Sequence, residues 1–470
     1  MEKYYLHEDR FFSSDITIRK YAREIYSTIK DMPIVSPHGH VDISMFAENR
    51  PFPNPTKLFL TPDHYVYRML YSQGITMEEL GIPTIDGTEV EQDPRKIWQI
   101  FADNFYLFNG TPSGNWLAHE FNVVFGIEEK PCSENAQEIY DSLQEKINNS
   151  EYLPRALFEK FNIEVLTSTD AASDLLENHK KIKESGWGKK IVPCFRPDGV
   201  TDLANIRWKE NIKALEYSVG YEITGYKLFI KALEDRRMFF KEMGATSTDH
   251  GVLYAYANQL SDFEAETVFE KALKGNINED DALQFTAHML MEMARMSCED
   301  GLTMQIHAGA SRNHNTHIFN RFGLDTGCDI PIRSEFTNSM KEFLNKYGIN
   351  RDLTVILFTL DETTYSRELA PLAGHYPAIK LGPPWWFHDS IEGMIRYRKN
   401  ITETAGFYNT VGFNDDTRAF VSIPARHDLA RRMDSNFLGE LVAKHIISIN
   451  EALVIAKDLT YNLVKKAYKL

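Results

Sequence analysis

Between residues 162 and 413, short runs rich in β-branched and aromatic residues alternate with helix-patterned stretches, and that alternation admits few folds. The runs are Asn162–Thr167, Lys190–Phe195, Ala245–His250, Thr303–His307, Leu353–Phe358, Ala378–Gly382 and Asn409–Phe413, and Ile34-Val35 precedes them all. Each is followed by a polar turn and a helical stretch, the pattern of parallel strands joined by crossover helices. Eight such units close into an α/β (β/α)8 TIM-type barrel. A doubly wound open sheet is the alternative, but neither a Gly-x-Gly-x-x-Gly turn nor a phosphate-cradling Gly-x-x-x-x-Gly-Lys-Ser/Thr loop follows any strand.

Upstream, Ser14-Asp15 caps an expected helix carrying Ile16, Ile18, Tyr21, Ala22, Ile25 and Ile29 at helical spacing. Thr61-Pro62-Asp63 predicts a second helix start, with Thr61 as cap, Pro62 in the first turn, and His64, Tyr65 and Arg68 close behind. Residues 76–160 contain no convincing strand and read as an all-helical insertion after the first strand, so residues 1–75 and 161–470 form the barrel domain. Further helices are expected over 171–184 and 228–243, and from 434 to 470, the last packing on the barrel's outside.

With 470 residues, 43% hydrophobic and 25% charged, the chain can bury a large core. A formal charge of −15 argues against a nucleic-acid partner, because neutralising phosphates needs a basic face. It leaves room for an anionic small substrate held by a few arginines. No apolar run is long enough to cross a bilayer, and the start lacks the pattern of a signal peptide. The four cysteines show no metal-type pairing, so a cytoplasmic protein with ordinary thiols is expected. No heptad pattern is present, which leaves a homo-oligomer open.

Barrel topology brings the C-terminal ends of all strands to one face. There His38 and His40 end the first strand, Asp170 follows the second, Arg196 the third, and His250 ends the fourth. His307 ends the fifth, Asp361 follows the sixth, Trp385 and Trp386 the seventh, and Asp415, Asp416 and Arg418 the eighth. Alternate residues of a strand point the same way, so His38 and His40 can face one ion. First and last strands are neighbours, and an aspartate of the 415–416 pair can complete the set, leaving positions open for water or substrate. The bland readings are loop histidines for His38 and His40, a helix cap for Asp416, a core imidazole for His307, and plain packing for at least one tryptophan. His119 reads as structural.

Six segments in register resemble the uronate isomerase family of the amidohydrolase superfamily: Ser36-Pro37-His38-Gly39-His40-Val41-Asp42, Asp63-His64-Tyr65-Val66-Tyr67-Arg68, Phe195-Arg196-Pro197-Asp198, Gln305–Asn313, Pro384–Asp389 and Asp415–Phe420. The resemblance implies a (β/α)8 barrel with a helical insertion. It also implies interconversion of D-glucuronate with D-fructuronate and of D-galacturonate with D-tagaturonate. It implies a divalent metal, Zn2+ most often, on residues matching His38, His40 and Asp416. His64 and Tyr65 match active-site residues, Arg196 and His307 match substrate contacts, and Trp385 and Arg418 match pocket residues. Gly39 stands where the family often has another residue, and Ile423–His427 carries a one-residue length departure.

Such an isomerisation moves a proton between C2 and C1 through an enediol. Tyr65 is a poor base at its ordinary pKa of about 10, so a guanidinium beside it, expected from Arg418, is needed to favour the phenolate. Asp416 serves both the metal and proton relocation, and either the metal coordinates the substrate carboxylate directly or Arg196 or Arg312 grips it, metal plus Arg196 being the favoured arrangement. Trp385 offers an apolar wall to the sugar. The competing reading is a metal-dependent hydrolase of the same superfamily acting on an amide, lactone or phosphoester.

Overall fold

The computed structural model describes residues 2–187 and 190–470. The described residues form nine strands: β1 (Ile34–Ser36), β2 (Ile163–Ala171), β3 (Lys190–Arg196), β4 (Ser247–Val252), β5 (Thr303–Ala308), β6 (Ala310–Ser311), β7 (Ile330–Pro331), β8 (Val355–Thr359) and β9 (Ile379–Leu381). Seven of them make one sheet in the order β1-β2-β3-β4-β5-β8-β9, every neighbouring pair parallel. β6 and β7 pair antiparallel beyond the end of β5.

The expected eighth strand, Asn409–Phe413, is not a strand. It touches β9 through one parallel bridge between Leu381 and Thr410. Gly412 (φ 79°) explains the interruption: it is in the left-handed region, and a Cβ there would collide with the Leu459 carbonyl. The ring closes beyond the strands instead, where the His40 amide donates to the Thr417 carbonyl at 2.9 Å and Ser36 Oγ to Asp415 Oδ1 at 3.1 Å. The sheet is therefore a curled, TIM-like barrel with an irregular eighth stave.

Val35, Val165, Val192, Ile356, Phe358 and Val411 fill the interior, one or two from each of several staves. The C-terminal segment does more than coat the outside. Tyr468 is fully buried in this interior, donating to Gln305 Oε1 at 3.1 Å and accepting from Asn414 Nδ2 at 3.3 Å. Nearby, Thr303 Oγ1 donates to the Ala467 carbonyl, so the last helical turn floors the barrel at the strands' N-terminal ends.

Among the described residues no barrel strand lies between Ser36 and Ile163. Helices Pro94–Asp103, Pro112–His119, Ala136–Ile147 and Pro154–Lys160 occupy that stretch. Their aromatic core, with Trp98, Phe101, Phe108 and Phe121, is continuous with Ile34 and Ile163 at the barrel rim and with Phe420 and Ile423. Asp15 caps the first helix, Ile16–Ile29. The second helix start shifts: Asp63, not Thr61, is the cap, its Oδ1 accepting from the Tyr65 amide at 2.9 Å, and the helix spans His64–Tyr71. Pro62 thus lies outside it. β2 runs on to Ala171, so the helix expected from 171 begins only at Glu177. No helix among the described residues is long and apolar enough to cross a membrane.

Candidate active site

His38 and His40 leave β1 with rings 5.3 Å apart and nearly perpendicular. Facing both is Asp416, whose Oδ1 lies 3.4 Å from each Nε2. Asp416 caps nothing: Thr417 Oγ1 takes the local capping bond, from the Ala419 amide at 3.0 Å. Asp416 also has φ 37°, a strained conformation for a non-glycine residue. The strain aims a buried carboxylate oxygen without a hydrogen-bond partner at the imidazoles.

His307 joins this group from β5. Its ring stacks on His38 (4.7 Å) and Phe358 (4.0 Å), with Trp385 edge-on at 4.8 Å. Ligand atoms of His38, His307 and Asp416 lie within 4.8 Å of one another, and His307 Nε2, like Asp416 Oδ1, is buried and unpartnered. Two imidazoles and a carboxylate held this way suit a divalent transition-metal ion. His307, expected to touch substrate, thus belongs equally with the metal donors.

Behind it stands a relay of charges. His307 Nδ1 lies 2.6 Å from Asp249 Oδ1, and Asp249 Oδ2 lies 3.2 Å from Arg196, whose Nε donates to Asp198 at 2.7 Å. Burial pushes the Asp249 carboxyl up, but Arg196 and the imidazoles of His307 and His38 prevail and hold it well below the usual range. A Cβ on Gly251 would press on the Arg196 guanidinium and the Asp198 carboxylate, so glycine there leaves room for that pair. Arg196, expected to grip a substrate carboxylate, is already engaged by two aspartates. His250 faces the other way on β4, bonded to Thr248 Oγ1 at 3.0 Å. Period-two alternation makes its neighbour Asp249 the inward residue, which its type alone did not reveal.

Above the donors opens a pocket lined by His40, His64, Tyr65, Trp385, Asp416 and Arg418, with Arg312 and Trp386. Both tryptophans face it, so neither is mere packing. Asp170, His250 and Asp361 do not line it. Its two guanidiniums are each held by one loop: Arg418 by Asp325 at 3.0 Å and Arg312 by Asp329 at 2.8 Å. Burial depresses the imidazoles of His40 and His64 to about 3, so both are neutral at pH 7.

Tyr65 lies between aromatic rings. His64 stacks on it at 4.8 Å and Trp116 meets it edge-on at 5.5 Å. Arg426 lies 5.5 Å from the Tyr65 ring centroid, and Arg418, expected beside Tyr65, lines the same pocket. Burial raises the phenol well above its usual value; Arg426 opposes this, and Asp389, Asp416 and Asp63 reinforce it. Asp389, Arg426 and Trp116 escaped the sequence reading. Asp389 ends the Pro384–Asp389 segment, and Arg426 stands in the helix Ile423–Ala443 that follows the last stave. Trp116 belongs to the helical region, where aromatic residues are common enough to hide it.

A family model described as glucuronate isomerase matches residues 6–468. The uronate isomerase of Nostoc punctiforme is 53% identical over 466 residues, covering 99% of this chain and 98% of that protein. The crystal structure of glucuronate isomerase from Caulobacter crescentus superposes with a TM-score of 0.98 at 51% identity, over 100% of this chain and 98% of that one. The uronate isomerase structure from Thermotoga maritima gives 0.92 at 29% identity, over 99% and 100%.

Proposed function

The chain belongs to the glucuronate isomerase family, and on that premise we propose that it interconverts D-glucuronate with D-fructuronate and D-galacturonate with D-tagaturonate in the cytoplasm. It is an aldose–ketose isomerase acting on uronates. The observation that carries the finer reading is that Tyr65, Asp416, Arg312 and Arg418 face one pocket.

In the reaction the C2 proton passes to a base and an enediolate forms, with the negative charge on O1. A proton is then delivered to C1 while the O2 hydroxyl proton relocates to O1, so C1 is reduced as C2 is oxidised with no external electrons. Tyr65 is the residue assigned to the C2–C1 transfer. Its phenol must ionise to act, and Arg426 is the cation that favours the anion against burial. Asp416 relocates hydroxyl protons. Arg312 and Arg418, rather than Arg196, meet the substrate carboxylate, exchanging a loop aspartate for it. Trp385 covers a sugar face. His38, Asp416 and His307 would hold the metal, with His40 on the pocket side; among divalent ions we infer zinc from the imidazole-rich donor set. When bound, the ion supplies Lewis-acid polarisation of substrate oxygens.

Incubation with D-glucuronate in deuterium oxide tests this. The C2-proton NMR signal should fade as ketose appears; neither exchange nor ketose would refute the isomerase reading.

A further inference from the structure

Arg426 is a guanidinium placed where charge is hardest to keep. Its side chain is 2% exposed, inside the helix Ile423–Ala443, with no surface in the pocket. It donates to Asp389 Oδ2 at 2.6 Å and to Ser422 Oγ at 3.1 Å. Asp389 is itself buried, and its other oxygen has no partner. Burying an ion pair is on balance neutral or unfavourable for stability, so this one calls for another explanation.

The geometry supplies one. The guanidinium carbon sits 3.5 Å from the centroid of Trp116, and Trp116 is the ring that meets Tyr65 edge-on. His64 stacks on Tyr65, and His64 is in turn met edge-on by Trp386 at 5.4 Å. Tyr65 therefore has one aromatic support anchored at the pocket and a second anchored on Arg426. Lysine would keep the charge but lose the planar stack on Trp116 and the fork that reaches Asp389 and Ser422 together.

We propose that the Arg426–Asp389 pair is a positioning device for Tyr65, fixing the phenol through Trp116 and placing a fixed cation behind it. The device rests on the assignment of Tyr65 to proton transfer. Arg426 and Asp389 act through Tyr65 and touch no substrate.

The test is steady-state kinetics on D-glucuronate with the metal-loaded variants Arg426→Gln, Arg426→Lys, Asp389→Asn, Tyr65→Phe and the double variant Arg426→Gln/Tyr65→Phe, slow variants being read over hours by C2-proton exchange. Arg426→Gln should lower kcat by about 100-fold with KM changed less than about threefold, since a small displacement of a reacting group has that effect. Arg426→Lys should recover part of the loss. In the Tyr65→Phe background, Arg426→Gln should cost nothing further. The proposal is overturned if Arg426→Gln keeps kcat within about threefold, or if its loss is the same with and without the Tyr65 hydroxyl. Should Arg426→Gln not fold, Asp389→Asn carries the same expectation with the arginine retained. If Tyr65→Phe alone keeps wild-type kcat, the role of Tyr65 fails, a result separate from failure of the positioning pair.

Discussion

Asp249 holds His307 through Nδ1 at 2.6 Å and leaves Nε2 without a partner. A carboxylate on the far nitrogen fixes the tautomer and raises the basicity of the other. Asp249→Asn should therefore weaken metal binding by about 10- to 100-fold, measured by competition with a chromogenic chelator. Unchanged affinity would limit Asp249 to anchoring Arg196.

His38 contributes to the donor group from a fully enclosed position. His38→Ala should be isolated with a much smaller metal content by elemental analysis. A metal present at 100 times its dissociation constant stabilises the folded state by about 2.7 kcal/mol. Chelator should therefore lower the Tm of the parent protein and leave that of the variant unmoved.

Arg312 and Arg418 are the pocket's two guanidiniums, and hydrogen bonds to charged groups contribute about 1.5–3 kcal/mol. Replacing either with Gln should raise KM for D-glucuronate by roughly tenfold or more. Arg196→Gln should instead disturb the metal donors, through Asp249, and show its effect in metal content.

Glu120 is buried beside Asp63, and burial first, then the Asp63 charge, lifts its carboxyl to about 8 against Arg426. A carboxyl whose folded pKa lies above its unfolded value contributes stability fully below the unfolded value and loses it as pH rises through the folded one. Stability should accordingly fall between about pH 4.5 and pH 8 on account of this group. Denaturation curves at pH 6 and pH 8 should differ less for Glu120→Gln, which should exceed the parent in stability at pH 8.

Gly39 is outside the left-handed region, and a Cβ there would meet the Thr417 carbonyl at an ordinary 3.4 Å. Gly39→Ala should keep metal content and kcat, and gain up to about 1 kcal/mol in chemical denaturation from a stiffer unfolded chain.

Strands rich in β-branched residues were legible because burial on both faces demands continuous apolar runs. The eighth stave was misread because Asn409–Phe413 has that composition, yet Gly412 turns the backbone away. Residues at strand ends were legible because barrel topology gathers them wherever they fall in the chain. The choice between Asp249 and His250 depended on the phase of a six-residue strand, which composition does not set. Arg426 and Trp116 were beyond reach: they meet only when a helix after the last stave packs on one from the helical region, and no local pattern announces that contact.

Tyr468 has a bearing on synthesis. Gln305 and Asn414 share its hydroxyl deep in the barrel, so their layer stays unfinished until residue 468 has been made. As the ribosome delivers the chain, the staves emerge early and must wait, with the space beneath the histidines open to water. A stop codon just upstream of 468 should then yield a protein with most of its helices but an unfinished barrel interior, seen as a lower Tm with nearly unchanged helix content.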